Sequence, residues 1–182
     1  MELSNRIIVC FLIMVSFGAC DYGSKKKEEP ILYKKNGLSF NLPKYWEVKK
    51  DRPIEGVEGA RLISISNEEP FSKDSYLVIT VINKEDNLEN AIERIIRTLG
   101  ASHNKRKIEF GILDKVAKIK IGNIDALRVG FETRIIANRN KGNITVFNLK
   151  GKNYSFVFSA DVKEAKEDVE IVEQIIKSLK SE

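Results

Sequence analysis

The sequence predicts an α+β fold in which an antiparallel β-sheet packs between helices, an αβα sandwich. Three observations carry the prediction. Strand-like alternation recurs across the short turns Gly122-Asn123 and Gly151-Lys152-Asn153, and turns of that length join only antiparallel strands. Two stretches, 88–99 and 162–179, repeat apolar residues at intervals of three and four, the spacing of a helix face. Residues 76–82 are apolar at almost every position, Thr80 being the exception, as in a strand covered on both faces. A length of 182 residues suits one domain, and 42% hydrophobic with 31% charged residues is globular composition.

The N-terminus reads as an address. Residues 7–17 are apolar except for Ser16. The run is too short to span a bilayer, which takes about 20 residues, but it suits the apolar segment of a secretory signal, with Arg6 before it. Phe17-Gly18-Ala19-Cys20 follows. Small residues ahead of a cysteine resemble the cleavage box of bacterial lipoprotein signals. Gly18 and Ala19 fit that box, whereas Phe17 stands where leucine is commoner. The resemblance implies that residues 1–19 are removed and that Cys20 is lipidated on sulfur and becomes the new N-terminus. Cys10 would leave with the signal. The domain then has no disulfide and depends on its core, which about 150 residues can supply.

Residues 20–30 are charged and lack apolar periodicity, so they are expected to form a lipidated, disordered tether. Lys25, Lys26 and Lys27 lie in reach of anionic headgroups, at about 1 kcal/mol each near such a surface, although a solvated linker is the favoured reading. No second long apolar run follows. The chain is therefore expected to be anchored to a membrane of the bacterial cell envelope without crossing it. Removing the signal takes away Glu2 and Arg6 and leaves the net charge of +5 unchanged. Export takes nucleic acid out of the expected partners and leaves anionic lipid, polyanionic glycan or an acidic protein face.

Residues 31–182 read as one domain. Leu38, Phe40 and Leu42 alternate with polar residues between Gly37 and Pro43, and Trp46 follows, expected to cap the core. Ile63 and Ile65 share one face of a second strand, opposite Ser64 and Ser66. The first helix has Asp86 or Asn87 to cap it and Gly100 to stop it, which places His103 to Lys107 in a loop. Ala117, Ile119 and Ile121 alternate, as do Leu127, Val129 and Phe131. The Gly- and Asn-rich stretch 138–143 is expected to turn before the strands at 144–149 and 154–159. The second helix places acids early and Lys177 and Lys180 late, which complements the helix dipole.

Chemistry is hard to find. His103 is the only imidazole, so neither a nitrogen–sulfur metal site nor a nucleophile–histidine pair can be assembled without it, and it reads as a surface residue. No calcium-loop pattern is present. Gly56 and Gly59 do not follow a strong strand and open a helix, as a phosphate cradle requires. The carboxylates Asp51, Glu68, Glu69 and Asp125 have no partner the sequence identifies. Asn143-Ile144-Thr145 matches a glycan acceptor pattern but reads as a turn entering a strand. No cofactor is expected. The densest basic cluster is Lys105, Arg106 and Lys107, a possible contact for an anionic ligand.

Three segments resemble the PsbP/Mog1/DcrB-like superfamily. They are the opening Gly37-Leu38-Ser39-Phe40-Asn41-Leu42-Pro43-Lys44-Tyr45-Trp46, the hairpin Ile121-Gly122-Asn123-Ile124-Asp125-Ala126-Leu127-Arg128-Val129, and the closing strand Tyr154-Ser155-Phe156-Val157-Phe158-Ser159-Ala160 with its helix ending Ile176-Lys177-Ser178-Leu179. That superfamily has no common active site, and its members mostly bind or assemble other proteins. The resemblance implies a non-enzymatic binding or assembly module whose partner is an envelope or host protein. Two alternatives stand beside it: a surface adhesin meeting an acidic host ligand through Lys105, Arg106 and Lys107, and a hydrolase using an unrecognised carboxylate site.

Overall fold

The computed structural model of the protein describes residues 29–70, 75–136, 138–163 and 165–181. The predicted signal, Cys20 and the lysines at 25–27 lie outside the described residues. In chain order the elements are β1 (Ile31–Lys35), β2 (Leu38–Leu42), β3 (Trp46–Pro53), β4 (Arg61–Asn67), β5 (Tyr76–Ile82), α1 (Leu88–Lys105), β6 (Glu109–Ile112), β7 (Ala117–Ile121), β8 (Ile124–Ile135), β9 (Asn138–Leu149), β10 (Lys152–Asp161), α2 (Ala165–Ser178) and β11 (Lys180–Ser181). The main sheet has the order β3-β4-β5-β10-β9-β8-β6, with β7 also pairing β8; a small sheet has the order β1-β2-β11. Every pairing is antiparallel.

Two apolar clusters sit on opposite faces of the main sheet. On one face Ile63, Ile65, Leu77, Ile79, Phe147, Tyr154, Phe156 and Phe158 pack with Val172, Ile175 and Ile176 of α2 and with Leu38, Phe40 and Leu42 of β2. On the other, Leu127, Val129, Phe131, Ile144, Val146 and Val157 meet Ile92, Ile95, Ile96 and Leu99 of α1. The chain is thus the expected sandwich, with α2 and the small sheet on one side and α1 on the other. Trp46 is buried in the first cluster, as expected.

Registers define two ends. Ile135 opposite Asn138, Glu109 opposite Arg134, Ser159 opposite Tyr76 and Trp46 opposite Asn67 all lie at one end. Ile31 pairs Leu42, and only Pro43, Lys44 and Tyr45 separate Leu42 from Trp46, so the chain comes into the domain at this near end. The far end carries Pro53 opposite Arg61, Asn153 opposite Ile82 and Lys35 opposite Leu38. A polar knot ties α1 to the sheet there. The Asn148 amide donates to the Asp86 carbonyl at 2.8 Å and accepts from the Asn153 amide at 2.9 Å. Asn87 caps the helix by accepting from the Asn90 N–H at 2.9 Å, while Asp86 pairs with Arg94 instead.

Several expectations are corrected. The helix does not stop at Gly100. It runs on to Lys105 because Gly100 keeps ordinary helical backbone and the left-handed residue that ends the helix comes only at Lys107. The stop comes at Arg106 and Lys107; Lys107 takes φ +59° and donates to the Asn104 carbonyl at 2.9 Å, while Ile108 N–H closes on the His103 carbonyl at 3.0 Å. Lys105 therefore lies in the last turn of the helix, not in a loop. The stretch 138–143 is not the turn but the first half of β9; the hairpin turns earlier, between Ile135 and Asn138. Asn143 is correspondingly buried within a strand. Val162, expected in the second helix stripe, precedes α2 and is exposed. Residues 76–82 are buried on one face at Leu77, Ile79 and Val81 and half-buried on the other, where Val78 alone of the strand joins the second cluster. Strands β1, β3, β6 and β11 have no counterpart in the sequence reading.

Gly142 shows how tightly the second layer is closed. An added Cβ would lie 2.0 Å from the Phe158 carbonyl oxygen and 2.6 Å from the Phe131 ring. Gly142→Ala is expected to cost about 3 kcal/mol by overpacking against backbone that cannot yield, lowering Tm by roughly 6–12 °C; thermal unfolding followed by circular dichroism measures it.

Candidate functional site

The far end holds a concave surface built by two turns. The first is the β1–β2 hairpin. Asn36 and Gly37 take φ +50° and +70°, the left-handed pair that a two-residue hairpin loop demands. The second is the β3–β4 loop, closed on itself by Ile54 N–H to the Ala60 carbonyl at 2.9 Å and Ala60 N–H to the Val57 carbonyl at 3.1 Å. Gly59 packs where a Cβ would come 2.8 Å from that of Asn83. Between the turns lies an open groove of about 870 Å³, lined by Lys35, Asn36, Arg52, Arg61 and the loop from Ile54 to Ala60. Beyond Arg61 and Gly59 a smaller recess of about 190 Å³ reaches Asn83, Lys152 and Tyr154.

The floor of the groove is an ionic knot. Arg61 Nε donates to Asp51 Oδ1 at 2.5 Å and Nη2 to Oδ2 at 2.6 Å, a two-pronged pair. Tyr33 OH donates to Asp51 Oδ2 at 2.5 Å and accepts from Arg61 Nη2 at 2.7 Å. Lys35 Nζ lies 3.0 Å from Asp51 Oδ2, and Arg61 Nη1 donates to the Lys35 carbonyl at 2.9 Å. The Asp51 side chain is only 8% exposed. The knot therefore fastens β1 of the small sheet to β3 and β4 of the main one. The Arg61 hydrogen bonds hold the Asp51 carboxyl well below the usual carboxylate range. Burial, then the bond to Asp51, pushes the Tyr33 phenol up to about 12.

These states decide what the groove can do. At neutral pH Asp51 is ionised with its oxygens occupied, and Tyr33 keeps its proton; neither is poised to move one. Arg52 and the Val57 side chain, both exposed, face outward around the knot. The arrangement is a surface that sets the exposed Arg52 and Glu58 beside the Val57 side chain.

The other sequence candidates scatter. Glu68 bonds Ser66 and pairs with Lys49. Asp125 pairs with Lys120, with both side chains exposed. His103 packs on Phe110 with ring centroids 5.4 Å apart, and its Nδ1 lies 2.8 Å from the Leu99 carbonyl. Lys105, Arg106 and Lys107 finish α1 at the near end, where cations meet the negative end of the helix dipole. Among the described residues no cluster of three metal-ligating side chains occurs. Gly56 and Gly59, unsuited to a phosphate cradle, shape the groove loop instead. The sequence reading named Asp51 but missed Tyr33, Lys35 and Arg61; Asn36-Gly37 is a hairpin signal that would have paired residues 31–35 with 38–42.

Asp51→Asn is expected to cost about 3 kcal/mol at pH 7, because it leaves Arg61 half-buried without its counter-charge. Because the folded carboxyl is depressed, its contribution is complete above about pH 4, the unfolded value, and fades only as pH falls toward the lower folded value. The gap between wild type and variant in urea midpoints should hold from pH 7 to 5 and close in stronger acid. The Tyr33 shift has the opposite sign, with a contribution complete below about pH 10 and lost as the pH rises through 12.

No family model matches the chain, and no curated protein matches it in sequence. Solved structures match it in shape. The solution structure of CyanoP, the cyanobacterial PsbP of Synechocystis sp. PCC 6803, superposes with a TM-score of 0.57 at 12% identity, over 91% of this chain and 99% of that one. The Ran-binding protein Mog1p of Saccharomyces cerevisiae gives 0.51 at 6% identity, over 84% and 96%. LpqN, involved in cell envelope biogenesis of Mycobacterium tuberculosis, gives 0.50 at 10% identity, over 83% and 88%. A Bacteroides thetaiotaomicron structure matches at 0.54 and 14% identity over 86% of this chain, which spans only 49% of that one. At such identities the likeness is one of fold, and it agrees with the layers described above: the chain has the PsbP/Mog1-like fold.

Proposed function

We propose that the chain is a membrane-anchored envelope lipoprotein whose folded domain is a non-enzymatic protein-binding or assembly module, lipidated at Cys20 and engaging its partner through the far-end groove. One observation carries the reading. The groove, walled by Arg52, Arg61 and the Val57 loop, lies at the end of the sandwich opposite the one where the chain comes in. A tether attached at Ile31 would hold that groove away from the bilayer, open to a partner. The combination of exposed Arg52 and Glu58 with the apolar Val57 side chain is that of a protein contact.

Similar folds support the class. Mog1p is a Ran-binding protein, and LpqN is involved in cell envelope biogenesis. No described helix is long and apolar enough to cross a membrane. Of the two carboxylates lining the groove, Asp51 is locked in the Arg61 knot and Glu58 is exposed on the β3–β4 loop, which gives the hydrolase alternative no support.

Site-specific photo-crosslinking in cells tests the reading. Probes at Val57 and Arg52 are expected to capture one discrete partner, and a probe at Lys118 on the β7 edge is not. Capture from Lys118 with none from Val57 or Arg52 would move the contact elsewhere. In the same strain Cys20→Ser should abolish acyl-lipid labelling of the chain and release it from the membrane fraction.

A further inference from the structure

The near end of the sandwich has an unusual surface. At the tip of the β8–β9 hairpin Ile136 is 98% exposed and takes φ +52°, a conformation that a β-branched residue adopts only under strain. Ile135 beside it is exposed, as is Val162, whose N–H donates to the Arg139 carbonyl at the same hairpin at 3.2 Å. Ile31 and Leu32, at the point where the chain comes in, are 57% and 63% exposed. At this end the structure therefore spends strain and solvent exposure on aliphatic side chains that the described residues leave exposed.

Charge surrounds them. Lys105, Arg106 and Lys107 end α1 just before β6, whose first residue, Glu109, pairs across to Arg134 next to Ile135. The acids nearest the tip are already engaged: Glu132 binds Arg139, with Nη2 at 2.5 Å, and Glu109 lies 3.9 Å from Arg134. Among the described residues, the three exposed cations on the helix end thus have no counter-acid beside the aliphatic tip. Exposed aliphatic side chains with lysine and arginine on one flank fit the interface of an anionic bilayer, where the apolar groups enter and the cations meet headgroups.

Distance supplies the third argument, and it rests on the lipoprotein reading. About ten residues separate Cys20 from Ile31. That length reaches roughly 35 Å when fully extended and about 17 Å as a coil. A domain so held cannot stray far from the surface, and the near end is the end held. We propose that this end, led by Ile136 and Ile135 and flanked by Lys105, Arg106 and Lys107, docks on the anionic bilayer that carries the lipid anchor.

The test uses the full chain, expressed with its own N-terminus and reconstituted into vesicles with about 30 mol% phosphatidylglycerol and brominated acyl chains. Trp46, the only native tryptophan, is buried, so an exposed second tryptophan reports its own surroundings. Ile136→Trp and Val57→Trp both replace exposed residues, and folding is not at stake. The emission of Ile136→Trp is expected to fall about twofold, and that of Val57→Trp to stay unchanged. Adding Lys105→Glu, Arg106→Glu and Lys107→Glu, or raising the salt, should restore the emission. If wild type floats with vesicles through Cys20 yet Ile136→Trp is not quenched, docking is overturned and the anchor stands. If wild type and Cys20→Ser float alike or not at all, the anchor reading fails and docking falls with it. Retention on heparin by Lys105, Arg106 and Lys107 without quenching would overturn docking in favour of an acidic glycan.

Discussion

The rest of the architecture follows from β10 and β9 having two apolar faces. Every residue of β10 from Asn153 to Ala160 is buried, and β9 is buried from Asn143 to Phe147. Tyr154, Phe156 and Phe158 point to one side, Val157 with Ile144 and Val146 to the other. A large aromatic or aliphatic side chain gains about 1.5–3 kcal/mol on burial, so neither face can be left wet. One helix cannot cover both. The chain supplies α1 from its middle for one face and α2 with the β1-β2-β11 sheet from its termini for the other. The termini are thereby part of the core: β11 pairs β2, and Ser178 Oγ accepts from the Asn41 N–H at 2.9 Å.

That same constraint explains which elements were legible from sequence. Amphipathic pieces facing one layer, such as β2, β4 and α1, announce themselves by period. Arg128 does not. Its place between Leu127 and Val129 reads as a solvent position, yet that face lies under α2, so Arg128 is enclosed. Its Nη1 donates to Glu173 at 2.7 Å and its Nε to Thr145 at 3.0 Å. Gly100 and Gly142 mislead in the same way. Read locally, each glycine is a stop or a turn; in the fold Gly100 lies inside a helix against the Phe110 ring, and Gly142 lies inside a strand, where it makes room for the Phe131 ring and the Phe158 carbonyl. Local propensity yields to packing there, and a single sequence does not display the packing partner.

The groove was less legible than the fold, for a related reason. Asp51 sits beyond a register shift between Val48 and Lys50. A bulge of that kind changes which face a side chain meets, so simple alternation cannot carry Asp51 inward. Tyr33 and Lys35 reach it from a strand whose sequence, Ile-Leu-Tyr-Lys-Lys, is too short and too mixed to show a period. The knot is a meeting of three separate strands, visible only once they are placed.

The knot also gives the domain its polarity. Fastening the small sheet to β3 and β4 at the far end fixes the turn residues Asn36 and Gly37 beside the β3–β4 loop, and a groove between two rigid turns results. The near end is built differently. There β1 begins with exposed Ile31 and Leu32, and Tyr45, at φ +66°, carries the Lys44 ammonium 4.8 Å from its ring centre. Paired charge and buried hydrogen bonds hold the far end to one shape, which suits recognition of one partner. Exposed aliphatic side chains and long cations adapt to whatever lies beneath them, which suits a fluid surface. The proposed membrane docking and partner contact would draw on these two properties, which the topology puts at opposite ends because the chain comes in at one end and its first hairpin turns at the other.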